Sequence, residues 1–380
     1  MDASGPLDAA LLPPGLRARH VAGVNGLRVQ VLEAGRPGDP VLLLLHGFPE
    51  LAYSWRKVMP GLAAAGYHVI APDQRGYGRT TGWDGRYDGD VAQFRLLNLV
   101  RDMLGLLARL GIARTAGVVG HDFGASVAAW AALTRPDIFP ALVLMSAPFT
   151  GPPALPEARD EATAPDIHAA LAALTRPRKH YQWYYSTRAA DTDMMGAPAG
   201  LHAFLRAYYH HKSADWAGNT PEPLASWTAG ELARMPTYYI MDLAATMPQS
   251  VVMPDGAACP WLTDAELAVY AGEYARTGFQ GALNWYRCRT GAVSLAGLEV
   301  FAGRAIDVPA VFIAGARDWG IHQVPGALAR MRHAACTKMD APVLVEGAGH
   351  WVQQEQPEAV LAELLGFFAT HPAGDIDSRA

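Results

Sequence analysis

Cysteine is scarce in this 380-residue chain: Cys259, Cys288 and Cys336, an odd number, scattered and without a CxxC spacing. Neither a disulfide framework nor a cysteine zinc site is expected, and reduced thiols in a cytoplasmic protein are. Charge is thin as well. Charged residues make up 18%, against about a quarter in an average soluble domain. The net charge is −5, with no Lys/Arg run, which argues against nucleic acid or an anionic membrane as partner. Apolar runs such as Val41 to Leu45 are short, far from the roughly 18 residues of a membrane-spanning helix. The N-terminus carries Asp2 and no basic stretch, so no secretory leader is expected.

What is present is apolar mass. Hydrophobic residues reach 51%, enough for a sizeable core, and the length suits one large unit or two. The first third alternates short apolar runs with helical periodicity. Leu27 to Ala34, Val41 to His46, His68 to Ala71, Gly117 to Gly120 and Ala141 to Ser146 read as strands. Trp55 to Ala64, Phe94 to Leu110 and Phe123 to Leu133 read as helices. Alternation of this kind implies an α/β fold with a mostly parallel sheet covered by helices on both faces. From about Phe149 to Ile306 the alternation stops, and helical stretches such as Ile167 to Leu174, Leu201 to His211 and Asp264 to Arg276 dominate. Beyond Val308 it returns: strand Ala310 to Ala314, helix Pro325 to Met331, strand Val343 to Glu346 and helix Pro357 to Thr370. The expected organisation is a core over 1–148 and 307–380 with a helical insertion over 149–306.

The segment Gly120-His-Asp-Phe-Gly124 joins an expected strand to an expected helix. A strand-to-helix turn this sharp needs nearly side-chain-free flanks, which Gly120 and Gly124 supply. Its central residue, Asp122, would stand above the sheet at a helix N-terminus, where the dipole favours an anion. The competing reading makes Asp122 an ordinary helix N-cap.

Together with His46-Gly-Phe-Pro-Glu50, Ser54-Trp-Arg56 and Asp73-Gln-Arg-Gly-Tyr-Gly78, in that order, this turn resembles the epoxide hydrolases of the α/β-hydrolase fold. The resemblance runs from about Val21 to Phe368. It implies that Asp122 is a carboxylate nucleophile and that the backbone N–H groups of Phe48 and Phe123 form an oxyanion hole. It also implies a cis bond before Pro49, with His46 structural. An ester on Asp122 must be hydrolysed by a general base held by a carboxylate. His350 in Gly349-His-Trp351 and Asp318 in Ala316-Arg-Asp318 each follow an expected strand, in the chain order nucleophile, acid, base. Asp340 is the rival acid but precedes its strand; Asp73 is the rival nucleophile, but its Asp-x-Arg-Gly-Tyr-Gly setting reads as fixing its own loop.

The resemblance also implies two cap tyrosines that hold the epoxide oxygen. Thr277-Gly-Phe-Gln-Gly-Ala-Leu-Asn-Trp-Tyr-Arg287 supplies Tyr286. His180-Tyr-Gln-Trp-Tyr-Tyr185 supplies Tyr181, with Tyr184 as the alternative. A phenol near pKa 10 is a suitable neutral donor to a departing alkoxide. His210-His-Lys212 suggests a metal site at first sight, but adjacent helical residues point apart, and the run reads as a solvated face. Met194, Met195, Met241, Met247 and Met253 read as core of the insertion or as pocket lining. Two departures stand out: Phe123 where relatives often carry Trp, and a stretch from Ala214 to Gly256 without a counterpart.

The implied enzyme turns a small hydrophobic epoxide into a vicinal diol without cofactor or metal. A haloalkane dehalogenase shares the Asp nucleophile, but Phe48 and Phe123 lack its halide-binding side-chain N–H groups. Asp122 excludes a serine esterase, and a ligand receptor on a hydrolase scaffold is the non-enzymatic alternative.

Overall fold

The computed structural model describes residues 5–155, 166–256, 259–291, 293, 295 and 297–372. The acidic start at Asp2, residues 156–165 of the expected insertion and the tail from 373 lie outside the described residues.

Ten strands form among the described residues: β1 Arg17–Val24, β2 Leu27–Ala34, β3 Val41–Leu45, β4 His68–Pro72, β5 Gly117–His121, β6 Leu142–Met145, β7 Arg178–His180, β8 Ile240–Asp242, β9 Ala310–Gly315 and β10 Val343–Val345. Eight join one sheet in the order β1-β2-β4-β3-β5-β6-β9-β10. Pairing is antiparallel from β1 to β4 and parallel from there to β10. Every residue of β3, β4, β5, β6 and β9 is buried, as expected for parallel strands with both faces covered. The helices Leu96–Arg109 and Phe123–Thr134 pack together, and Pro357–Thr370 packs with Met59–Ala64. This is the α/β architecture that the alternation of elements implied, in the α/β-hydrolase form that the resemblance implied.

One consequence of the strand order places the site. β4 lies on one side of β3 and β5 on the other, with Leu45 paired to Gly120. The chain therefore changes direction across the sheet between β3 and β5. Open α/β sheets bind ligands beyond the C-terminal ends of the strands at such a reversal.

Between β6 and β9 lie the helices Ile167–Ala172, Tyr181–Tyr185, Ala189–Met195, Leu201–Lys212, Asp264–Thr277 and Gln280–Thr290. Thr263 and Glu266 form a reciprocal capping box on Asp264–Thr277. β7 and β8 pair antiparallel within this helical region. At three residues each they are too short to show a period in the sequence.

Other boundaries differ for identifiable reasons. The stretch expected as one helix from Trp55 is a 3₁₀ turn, Ala52–Trp55, followed by the helix Met59–Ala64. Pro60 stands in that helix's first turn, the one place a helix tolerates a missing N–H. The helix expected from Pro325 starts at Ala327, after Gly326 at φ 72°, and runs into a π-helical turn, Met331–Ala335. β1 carries no apolar run that marks it in the sequence; at the sheet edge it buries only Val21 and Val24. No helix among the described residues is long and apolar enough to cross a membrane.

Candidate active site

The turn between β5 and the helix Phe123–Thr134 holds Asp122 at φ 53°, ψ −119°, a conformation L-residues rarely adopt and one that costs of order 1–3 kcal/mol. Its side chain makes no capping hydrogen bond to the helix, which removes the N-cap reading. A Cβ on Gly120 would run into the Gly124 carbonyl, and one on Gly124 into the carbonyls of Leu45 and His46. These obstacles are backbone atoms, of the helix itself and of the end of β3, and cannot rotate away. Gly124→Ala is therefore expected to destabilise the protein by about 1–3 kcal/mol, read as a lower urea midpoint at unchanged slope. An unchanged midpoint would mean that the turn relaxes freely.

Opposite the elbow, Gly47 brings the end of β3 so close that an added Cβ would overlap Asp122. The Phe48 N–H donates to Asp122 Oδ1 at 3.0 Å, and the Phe48–Pro49 bond is cis. Phe123 opens the helix on the other flank of Asp122. His46 is fully buried, hydrogen-bonds the Gly47 carbonyl through Nδ1 and accepts from the Gln74 N–H at Nε2. Burial pulls its pKa down to about 4, so it stays neutral.

His350 follows β10, and Asp318 follows β9. His350 Nδ1 stands 3.1 Å from both Asp318 oxygens. Nε2 approaches Asp122 Oδ2 at 3.3 Å, without hydrogen-bond alignment. The Asp318 carboxylate fixes the proton on Nδ1 and leaves Nε2, facing Asp122, as the basic nitrogen. The His350 carbonyl accepts from His121 Nε2 at 2.7 Å and from the Ser146 hydroxyl at 3.1 Å. Burial alone would raise the carboxyls of both Asp122 and Asp318. His350 and the buried Lys212 cation nevertheless hold both below the ordinary range, helped at Asp318 by the Gly320 N–H. Both are carboxylates at neutral pH.

A cavity of about 790 Å³ opens in front of Asp122, lined mainly by apolar and aromatic side chains such as Phe123, Trp130 and Phe149. Tyr181 and Tyr286 both line it, their ring centroids 6.0 Å apart. Tyr286 rides on the helix Gln280–Thr290, pinned to the core by the Trp285 indole N–H, which donates to the Arg75 carbonyl at 2.8 Å. Tyr181 opens the helix Tyr181–Tyr185, and its hydroxyl donates to Gln323 Oε1 at 3.0 Å. Burial raises the pKa of both phenols, so they remain protonated donors. Tyr184 does not line the cavity; its hydroxyl donates to Asp193.

The remaining candidates fall elsewhere. Asp340 is exposed beside His371. Asp73 accepts from the Ala52 and Arg79 N–H groups, which fixes its own loop. Met194, Met241 and Met247 are buried, Met253 is 49% exposed, and none of the five methionines lines the cavity. Cys259, Cys288 and Cys336 are free and buried. Among the described residues no cluster of His, Cys, Asp or Glu is placed to hold a metal ion.

The solvated reading of His210-His211-Lys212 is wrong: all three are buried. They end the helix Leu201–Lys212, which is buried without interruption from Ala207 to Lys212. The His211 ring packs edge-on against Trp216 and Tyr238, and the Lys212 ammonium lies over Tyr208, Tyr239 and Trp351. Burial pulls Lys212 down to about 8, with Asp122 and Asp318 opposing the fall. Sequence reasoning also missed the buried pair Glu50–His121, joined at 2.6 Å beneath the elbow. Its signal was the adjacency of Glu50 to His46-Gly-Phe-Pro and of His121 to Asp122.

A family model described as the alpha/beta hydrolase fold matches residues 40–357. The chain is 36% identical over 358 residues to epoxide hydrolase A of Mycobacterium tuberculosis, covering 93% of this chain and 98% of that protein. It is similar to the crystal structure of epoxide hydrolase A from Mycobacterium thermoresistibile, with a TM-score of 0.72 at 33% identity over 93% of this chain and 98% of that one. It is also similar to an epoxide hydrolase from an endophytic Streptomyces, with a TM-score of 0.75 at 30% identity over 94% and 96% of the two chains.

Proposed function

Because the chain belongs to the epoxide hydrolases of the α/β-hydrolase fold, we propose that it opens a small apolar epoxide through an ester on Asp122. Residues 149–306 serve as the cap, and 1–148 with 307–380 as the core. Asp122 Oδ2 attacks one ring carbon, and the carbon–oxygen bond there breaks. Tyr181 and Tyr286 hold the departing oxygen, and one of them gives it a proton. Oδ1 becomes the ester carbonyl, already facing the Phe48 N–H.

In the second step His350 Nε2 takes a proton from water as the water oxygen adds to the ester carbon. Phe48 and Phe123 N–H groups hold the oxyanion, where one such donor is worth about 10²–10³ in rate. Collapse releases the diol with Oδ2, and the protons on His350 and the new carboxyl restore the tyrosine and the alcohol. Asp318 keeps the imidazole oriented throughout.

The single observation that carries this reading is the strained Asp122, between the Phe48 N–H and His350 on one side and two phenols across an apolar cavity on the other. The test is a single turnover of styrene oxide in ¹⁸O-water with enzyme in excess. The diol is expected to be mostly unlabelled and the peptide carrying Asp122 labelled. A fully labelled first diol with an unlabelled peptide would make Asp122 a general base that activates water directly.

A further inference from the structure

The base loop is held by a side chain that the reaction itself does not use. Glu355 ends the short helix Val352–Glu355 and is buried. Its Oε2 accepts from the Gly349 N–H at 2.9 Å and its Oε1 from the Trp351 N–H at 2.9 Å. These are the N–H groups of the two residues on either side of His350. Oε2 also accepts from the Ala214 N–H at 2.8 Å. Ala214 lies just beyond the helix Leu201–Lys212, whose last carbonyl accepts from the His350 N–H at 2.9 Å.

The acid loop leans on the same strap. Arg317, next to Asp318, donates to the carbonyls of Ala214, Ala217 and Asn219. Both catalytic loops of the core are thus tied to residues 212–219, the start of the stretch whose sequence had no counterpart.

We infer that Glu355 is a positioning residue for His350: its carboxyl group sets the Gly349–Trp351 backbone so that the imidazole stays on the line from Asp318 to Asp122, and it couples that alignment to the seating of the cap strap. The inference rests on the two-step reading above. A displacement of about 1 Å at a reacting group costs on the order of 10²-fold, so slackening this loop falls on the step that uses the base. Ring opening by Asp122 needs the elbow and the tyrosines, none of which Glu355 touches.

Glu355→Gln keeps the shape, but its amide can accept hydrogen bonds at one end only, so one of the three N–H groups loses its acceptor. Glu355→Asp keeps the acid but shortens its reach. Rapid quench with styrene oxide should show the ester forming within about twofold of the wild-type rate in both variants. Its hydrolysis should slow by about tenfold or more, so that the Asp122 adduct accumulates at steady state.

Equal slowing of both steps, or of neither, overturns the positioning role while leaving the two-step reading intact. So does failure of both variants to fold, which would make Glu355 purely architectural. A wild-type enzyme that gives diol without any adduct on Asp122 overturns the two-step reading instead.

Discussion

Replacing His350 with Gln is expected to convert the enzyme into a protein that consumes one equivalent of epoxide and stops. In the variant Asp122 keeps the Phe48 N–H at 3.0 Å and the Lys212 and His121 charges that favour its carboxylate against burial, and a carboxylate can open a strained ring without a base. The proposed ester is different, since water must be deprotonated to attack it at a useful rate. His350 Nε2 faces Asp122 with Nδ1 fixed by Asp318, and general-base catalysis of this kind is worth about 10²–10⁴. Steady-state turnover of His350→Gln should fall by about 10³-fold or more while the burst survives. Intact-protein mass spectrometry should show an adduct equal to the substrate mass, located on the peptide carrying Asp122. An inactive variant that stays unmodified would show that His350 is needed for ring opening too.

The second large effect concerns the two phenols. Tyr181 and Tyr286 line one cavity with Asp122, and burial keeps both protonated. They sit on separate helices, so a substrate oxygen between them has two independent donors. Removing one donor to a developing oxyanion costs about 10²-fold or more. Tyr181→Phe and Tyr286→Phe are therefore each expected to keep measurable activity, and the double variant to lose about 10⁴-fold. Ester formation, followed by rapid quench, is the step that should slow. Tyr184→Phe is the control: its hydroxyl is committed to Asp193 away from the cavity, so its rate should stay near wild type. Wild-type ring opening in the double variant would take the tyrosines out of the mechanism. A damaging Tyr184→Phe would shift the first donor by one helical turn.

The division between what was legible in the chain and what was not follows the range of the interactions. Core strands such as Val41–Leu45 and Ala310–Gly315 are local apolar runs bounded by Gly, Pro or Asp. The elbow is a five-residue pattern whose two glycines are demanded by neighbouring backbone. Asp318 and His350 could be placed because a residue just past a parallel strand must lie at one edge of the sheet, wherever the strand ends up. Sequence alone thus determined the fold class and the edge on which Asp122, Asp318 and His350 meet.

Burial beneath the cap was decided elsewhere. Nothing in His210-His-Lys212 distinguishes a wet helix end from one roofed by Trp216, Tyr238, Tyr239 and Trp351, since those rings arrive from segments up to about 140 residues away. Which of Tyr181 and Tyr184 reaches the cavity likewise depends on which face of a five-residue helix the cavity meets. Glu355 became visible only when the loop after β10 and the cap strap converged on its two oxygens. Local pattern specifies how a segment folds and on which side of the sheet it ends. What then packs over it is a property of the assembled chain, because solvent exclusion and shared hydrogen bonds exist only once distant segments meet.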